Sequence, residues 1–122
     1  MRSMALFTYG TLEDPRLMFR LLQRVPKSLH ATLPGYRRRQ VIGRSYPAIL
    51  PDRHEAVEGT LYLGLTPEEM RGLDRYEGDE YRRSRVGVIT GNGDRVVVWC
   101  YLYRRELAQR MGQRRWEALR RD

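Results

Sequence analysis

Gly91-Asn92-Gly93-Asp94 separates two runs rich in β-branched and aromatic residues, Tyr81–Thr90 and Arg95–Tyr103, and commits both to one hairpin. Glycine and asparagine adopt the positive φ angles that a tight reversal between twisted strands requires. An antiparallel pair is therefore fixed before any longer-range argument is made. Earlier strand-like pieces are punctuated in the same way, by turn residues rather than helical crossovers. Met4–Tyr9 is an apolar first strand, and Val57–Leu63 alternates well enough for another. Between them, Ala31–Leu33, Tyr36–Ile42 and Ala48–Leu50 read as short strands broken by Pro34-Gly35, Gly43 and Pro47. Strands outnumber helices. The expected fold is α+β, a mixed but mostly antiparallel sheet curling toward a small barrel with helices packed outside.

Two helices carry strong local signals. Asp14-Pro15 supplies an N-cap and a proline at the first helical position, and Leu17, Met18, Leu21, Leu22 and Val25 continue at helical spacing until Pro26. The second helix is better marked. Thr66-Pro67-Glu68-Glu69 is a capping box, Leu65 and Met70 are placed for a hydrophobic staple, and Gly78 closes the element after residue 77. A third helix is expected over Arg104–Arg121, with Leu107, Met111 and Trp116 or Leu119 as its thin apolar side. That segment is basic, with seven arginines against three acids from Arg104 to Asp122.

A chain of 122 residues, 41% hydrophobic and 31% charged, makes one ordinary globular domain over 1–122, able to enclose a core and one small-ligand cavity. No apolar run approaches the roughly 20 residues of a membrane-spanning helix. Met1–Met4 leads straight into a strand without an apolar signal segment, so a cytoplasmic location and no membrane partner are expected. Cys100 is the only cysteine, which excludes an internal disulfide and a thiolate metal cluster. The formal charge is +8, and Lys27 is the only lysine among 23 basic residues. The arginines are scattered rather than interleaved with aromatics along one stripe, which argues for solvated faces over a nucleic-acid surface. A monomer or weak dimer is expected.

The familiar cofactor signatures are absent: no phosphate loop, no dinucleotide fingerprint, no H-E-x-x-H and no paired C-x-x-C. His30 and His54 are isolated surface or loop residues, and Cys100, between Trp99 and Tyr101, reads as a small core residue. No metal and no cofactor are expected. Glu77 differs from these. Met70, Leu73 and Glu77 share one face of the 66–77 helix, and that face carries the staple methionine, so Glu77 points inward. Burial and the negative end of the helix dipole both raise its pKa toward the range of a general base. The alternative is an outward turn to pair with Arg82 or Arg83, worth ~0–1 kcal/mol. A second candidate is the turn Tyr9-Gly10-Thr11-Leu12, where a strand leaving through glycine into a helix start exposes unpaired N–H groups, a seat for a carboxylate or phosphate. Many such turns bind nothing.

Several segments together resemble the γ-glutamylcyclotransferase-like superfamily, in particular small bacterial members of its AIG2-like and γ-glutamylamine cyclotransferase branch. They are Phe7-Thr-Tyr-Gly-Thr-Leu12, Tyr46-Pro-Ala-Ile-Leu50, Val57-Glu-Gly-Thr-Leu-Tyr62, Leu73-Asp-Arg-Tyr-Glu-Gly78 with Tyr81-Arg82, and Val97-Val-Trp-Cys-Tyr101. The ordered set covers about residues 5–103; the tail beyond Tyr103 has no counterpart. The resemblance implies an α+β fold with a small β-barrel and a cavity at one end. It also implies a catalytic role for Glu77, binding of the substrate α-carboxylate by the amides of Tyr9-Gly10-Thr11-Leu12, and Tyr81 as part of the pocket wall. The implied substrate is a small γ-glutamyl compound that yields 5-oxoproline and an amine. In the γ-glutamylamine branch the link between E-G and the following tyrosine is longer than Asp79-Glu80, which leaves the leaving amine and the role of Tyr81 open.

Two other functions compete with this expectation. A basic module for RNA or acidic partners would rest on the arginine excess and show steeply salt-dependent binding. A non-catalytic binder of γ-glutamyl compounds would take 5-oxoproline without forming product.

Overall fold

A computed structural model of the chain describes residues 3–104 and Leu107. Five strands, β1 (Met4–Thr8), β2 (Ser28–Gln40), β3 (Pro47–Leu65), β4 (Tyr81–Thr90) and β5 (Arg95–Tyr103), close into a barrel in the order β1-β3-β2-β4-β5. The β1–β5 seam is parallel, with Leu6 opposite Trp99 and Phe7 opposite Cys100, and every other pairing is antiparallel. The expected mixed, mostly antiparallel barrel is therefore present. The β4–β5 hairpin closes at the expected turn. Gly93 takes a φ of 91°, and Thr90 N–H donates to Asp94 O at 2.8 Å.

Strand pleating sorts the side chains into two cores. Phe7, Leu33, Ile49, Val57, Val88 and Cys100 pack together in one. Their neighbours Leu6, Ala48 and Tyr101 belong to the other, with Met18, Met70 and Leu73 from the helices, so this second core lies between barrel and helices. Helix α1 spans Pro15–Leu22 and α2 spans Pro67–Glu77. Both bonds of the α2 capping box form: Glu69 N–H to Thr66 Oγ1 at 3.1 Å, and Thr66 N–H to Glu69 Oε1 at 3.0 Å. Leu65, Met70 and Leu73 are fully buried, each contributing on the order of 1.5–3 kcal/mol by leaving water. That anchoring fixes which face of α2 meets the barrel.

Three sequence expectations are corrected. Helix α1 stops at Leu22, because Gln23 turns left-handed (φ 62°) and closes on Phe19 O, leaving Val25 exposed outside the helix. The pieces 31–33 and 36–42 belong to one strand, β2, which ends at Gln40. Gly35, at φ 85°, is absorbed as a register shift between Pro34 and Tyr36. The pieces 48–50 and 57–63 are likewise one long β3 running through Pro51, opposite Tyr36. A proline donates no ladder bond but does not end a strand whose neighbours still pair. The helix expected over 104–121 lies outside the described residues except for Arg104 and Leu107.

Candidate active site

Helix α2 ends at Glu77 because Gly78, at φ 76°, carries the chain away, with its N–H returning to Asp74 O at 3.0 Å. With Met70 and Leu73 buried beneath it, Glu77 is the last residue on the inward face. It is half-buried and lines a hollow of about 330 Å³ of empty space, its open mouth included. On another wall of that hollow lies the turn from β1, Tyr9-Gly10-Thr11-Leu12, and Tyr81 lines it too. All six residues singled out from the sequence therefore meet in one place. The outward alternative for Glu77 is not adopted. Arg83 pairs with Asp74 instead (2.9 and 3.1 Å), and Glu77 makes no ion pair among the described residues.

The β1 turn is held from three sides. Tyr9 buries its ring and donates its hydroxyl to Tyr101 O at 2.5 Å, Leu12 sinks into the helix-side core, and Arg38 Nη1 donates to Tyr9 O at 2.6 Å. A short 3-10 turn follows over Thr11–Glu13, with Glu13 N–H donating to Gly10 O at 3.0 Å. The N–H groups of Gly10, Thr11 and Leu12 themselves donate to no protein acceptor among the described residues. Gly10 is required for close approach: a Cβ there would stand 2.8 Å from Pro47 Cγ and 2.9 Å from Pro47 Cδ. The turn thus offers adjacent donors on a rigid, sterically tight support.

Aromatic side chains make up much of the remaining wall. Tyr81 donates to Pro47 O at 2.6 Å and packs its ring edge-on to Tyr103 (5.5 Å) and tilted to Tyr46 (6.0 Å). Tyr46 donates to Glu80, which also accepts from Tyr103 at 3.2 Å, and Tyr101 donates to Asp74 at 2.7 Å. The hydroxyls of Tyr9, Tyr46, Tyr81 and Tyr101 are therefore committed as donors. Burial pushes Tyr46 up to about 12 and drives Tyr81 and Tyr101 higher still, so all remain neutral phenols at physiological pH. The same surroundings desolvate Glu77 and push its carboxyl from 4.5 up to about 7. Burial is the cause of this shift. A carboxyl at that value exchanges its proton readily near neutrality.

Tyr46, Pro47 and Tyr101 line the hollow, and Arg38 braces its floor, yet none was picked out from sequence as a site residue. Three of them lie inside segments that carry the family resemblance, which is the signal that could have flagged them. Arg38, one of three consecutive arginines, gives none. His30 and His54 are exposed on β2 and β3, and Cys100 is fully buried. Among the described residues no three His, Cys, Asp or Glu side chains are grouped to hold a metal ion, and no helix is long and apolar enough to cross a membrane.

A sequence profile described as "Gamma-glutamyl cyclotransferase, AIG2-like" matches residues 6–118. The chain belongs to this family. Among AIG2-like relatives, AIG2-like protein A of Arabidopsis thaliana is 38% identical over 98 residues, covering 80% of this chain and 59% of the relative. AIG2-like protein D of the same plant is 39% identical over 102 residues, covering 79% and 67%. The chain thus spans a little under three fifths of AIG2-like proteins A, B and C. A solution structure from Arabidopsis thaliana superposes with a TM-score of 0.80 at 34% identity, over 87% of this chain and 72% of that one. The structure of a γ-glutamyl cyclotransferase superposes with a TM-score of 0.77 at 16% identity, over 84% and 68%, a likeness of fold.

Proposed function

We propose that this AIG2-like chain is a γ-glutamyl cyclotransferase-type enzyme that converts a γ-glutamyl amide into 5-oxoproline and a free amine. The observation that carries the proposal is the juxtaposition of one half-buried carboxyl, Glu77, with three unengaged backbone N–H groups in a single hollow. Those donors suit the substrate's α-carboxylate. With the carboxylate seated there, the neighbouring α-amine lies between the β1 turn and Glu77.

The reaction then needs little else. Glu77 removes a proton from the α-ammonium, and the freed amine nitrogen attacks the γ-carbonyl carbon of its own molecule. The new N–C bond closes a five-membered ring, the C–N bond to the leaving group breaks as the proton held by Glu77 passes to the departing nitrogen, and the ring nitrogen's surplus proton follows by the same carboxyl, leaving a neutral lactam and an ammonium. Electrons and protons balance without an external nucleophile, oxidant or metal. Holding the chain in its ring-closing conformer supplies proximity worth up to about 7–11 kcal/mol. Proton transfer by the carboxyl adds a factor on the order of 10²–10⁴.

Glu77→Gln keeps the shape and removes the proton carrier. Release of 5-oxoproline from a panel of γ-glutamyl amines and amino acids, followed by chromatography, should fall by on the order of 10²–10⁴ in kcat. Parental turnover by a folded variant would remove Glu77 from the mechanism. Binding of 5-oxoproline by the parent without turnover of any substrate would make the protein a binder.

A further inference from the structure

A seat made of backbone N–H groups is only as good as the orientation of the peptides that carry them. The two ends of the β1 turn are tied to β3. Thr8 Oγ1 donates to Thr60 O at 2.8 Å, Thr60 Oγ1 to Glu13 Oε1 at 3.2 Å, and the Tyr62 hydroxyl to Glu13 O at 3.2 Å. These bonds act at residues 8 and 13 and leave the Tyr9–Gly10 peptide to another partner. That partner is Arg38, whose Nη1 donates to Tyr9 O at 2.6 Å.

Strand β2 delivers one arginine of three consecutive ones to this point. Arg38 pairs in register with Ile49, which packs in the barrel core with Phe7 and Tyr9. Cross-strand partners share a face, so Arg38 stands on the inner face of β2 and Arg37 and Arg39 on the outer. Arg39 turns to Glu55 at 3.0 Å. Arg38 is half-buried near the end of its strand, and its charge bears on Glu13 as well as on Tyr9.

The peptide between Tyr9 and Gly10 is trans, so its N–H points opposite to its C=O. Tyr9 and Gly10 line the hollow and Arg38 does not, which puts Arg38 behind the seat and the Gly10 N–H on the substrate side. A hydrogen bond from a charged donor is among the stronger ones, and it polarises the amide it grips. The N–H at the far end of that amide becomes the better donor. We propose that Arg38 is a positioning residue: by holding the Tyr9 carbonyl from behind, it aims the Gly10 N–H into the hollow and strengthens it as a donor to the substrate's α-carboxylate. The proposal rests on the cyclotransferase reading and adds the group that sets the seat's geometry. Arg38 touches no reacting atom, so its loss weakens binding of the glutamyl half and spares proton transfer at Glu77.

The test compares two ring ligands that differ by the carboxylate alone, 5-oxoproline and 2-pyrrolidinone, titrated by NMR into isotope-labelled parent, Arg38→Met and Arg38→Lys. Arg38→Met should weaken 5-oxoproline roughly 10-fold, about the net worth of one hydrogen bond, and leave 2-pyrrolidinone unaffected. The shift of the Gly10 amide resonance on adding 5-oxoproline should shrink in the same variant. Arg38→Lys keeps a charged donor and should recover most of the difference. With a γ-glutamyl amide, KM should rise at near-parental kcat, because the carboxylate contact is alike in ground and transition states. Equal losses for both ligands would make Arg38 a structural brace, and parental 5-oxoproline binding by Arg38→Met would remove it from the seat; either result overturns the proposal. Should Arg38→Met not fold, Arg38→Gln takes its place under the same criteria, being too short to reach Tyr9 O and polar enough for a half-buried position. A parent that prefers 5-oxoproline yet turns over no γ-glutamyl amide loses the cyclotransferase reading, while the ligand comparison still decides the role of Arg38. A parent indifferent to the carboxylate overturns the seat and the proposal together.

Discussion

Glu77→Gln should make the protein more stable while it stops the proposed reaction. Desolvation lifts the Glu77 carboxyl from 4.5 to about 7 in the folded protein. A carboxyl whose folded pKa exceeds its unfolded value binds its proton more tightly when folded, so its ionisation opposes folding. Below the unfolded pKa both states are protonated and no cost arises. As pH rises from about 4.5 to 7 the cost grows, and above 7 it is complete. At about 1.4 kcal/mol per pH unit, the ceiling is ~3 kcal/mol. Glutamine carries no charge at any pH, so the variant escapes this cost. Its half-buried amide offsets the gain by about 1 kcal/mol, equally at every pH. Urea denaturation of parent and variant at intervals from pH 4 to 9 should give curves that diverge in the variant's favour between about 4.5 and 7, by up to ~3 kcal/mol, and run parallel above. A gap that stays flat across that window, or opens in the parent's favour, refutes the claim that Glu77 is held desolvated against the hollow.

Gly10→Ala would drive a methyl to within 2.8 Å of the Pro47 ring, so the β1 turn must shift. A destabilisation of about 1–3 kcal/mol in urea and a rise in KM for γ-glutamyl substrates are expected. Thr66→Ala removes one half of the α2 capping box and should lower stability by about 1 kcal/mol, measured the same way, without displacing the pH dependence assigned to Glu77. Cys100 is fully buried and burial drives its thiol far above the ordinary range, so iodoacetamide at pH 8 should leave the folded protein unmodified by mass spectrometry and alkylate it fully in urea.

Legibility from sequence followed the range of the interaction that decides each element. Helix α2 and the β4–β5 hairpin were readable because their determinants are local: a capping box four residues long, and a glycine-asparagine turn. Strands β2 and β3 were not readable as single elements. Pro34-Gly35 and Pro51 break a strand in isolation, and only the pairing of Pro34 with Ala56 and Tyr36 with Pro51 carries the ladder past them. The site divides along the same line. Glu77 followed from the spacing of Met70 and Leu73 on one helix, a purely local argument. Tyr46, Pro47 and Tyr101 enter the hollow from the approach to β3 and from β5, and Arg38 reaches the Tyr9 carbonyl from β2, none of which periodicity can foresee.

The parallel seam between β1 and β5 has a consequence for the order in which the molecule is made. The turn that leaves β1 emerges early from the ribosome, whereas Tyr101, whose carbonyl receives the Tyr9 hydroxyl, is synthesised after every other strand. Until β5 docks, the hollow lacks its Tyr101 wall and the Tyr9 hydroxyl lacks its acceptor. Such a distant closure is slow to form. The proposed site should therefore be completed in one late step, together with closure of the cylinder rather than piece by piece.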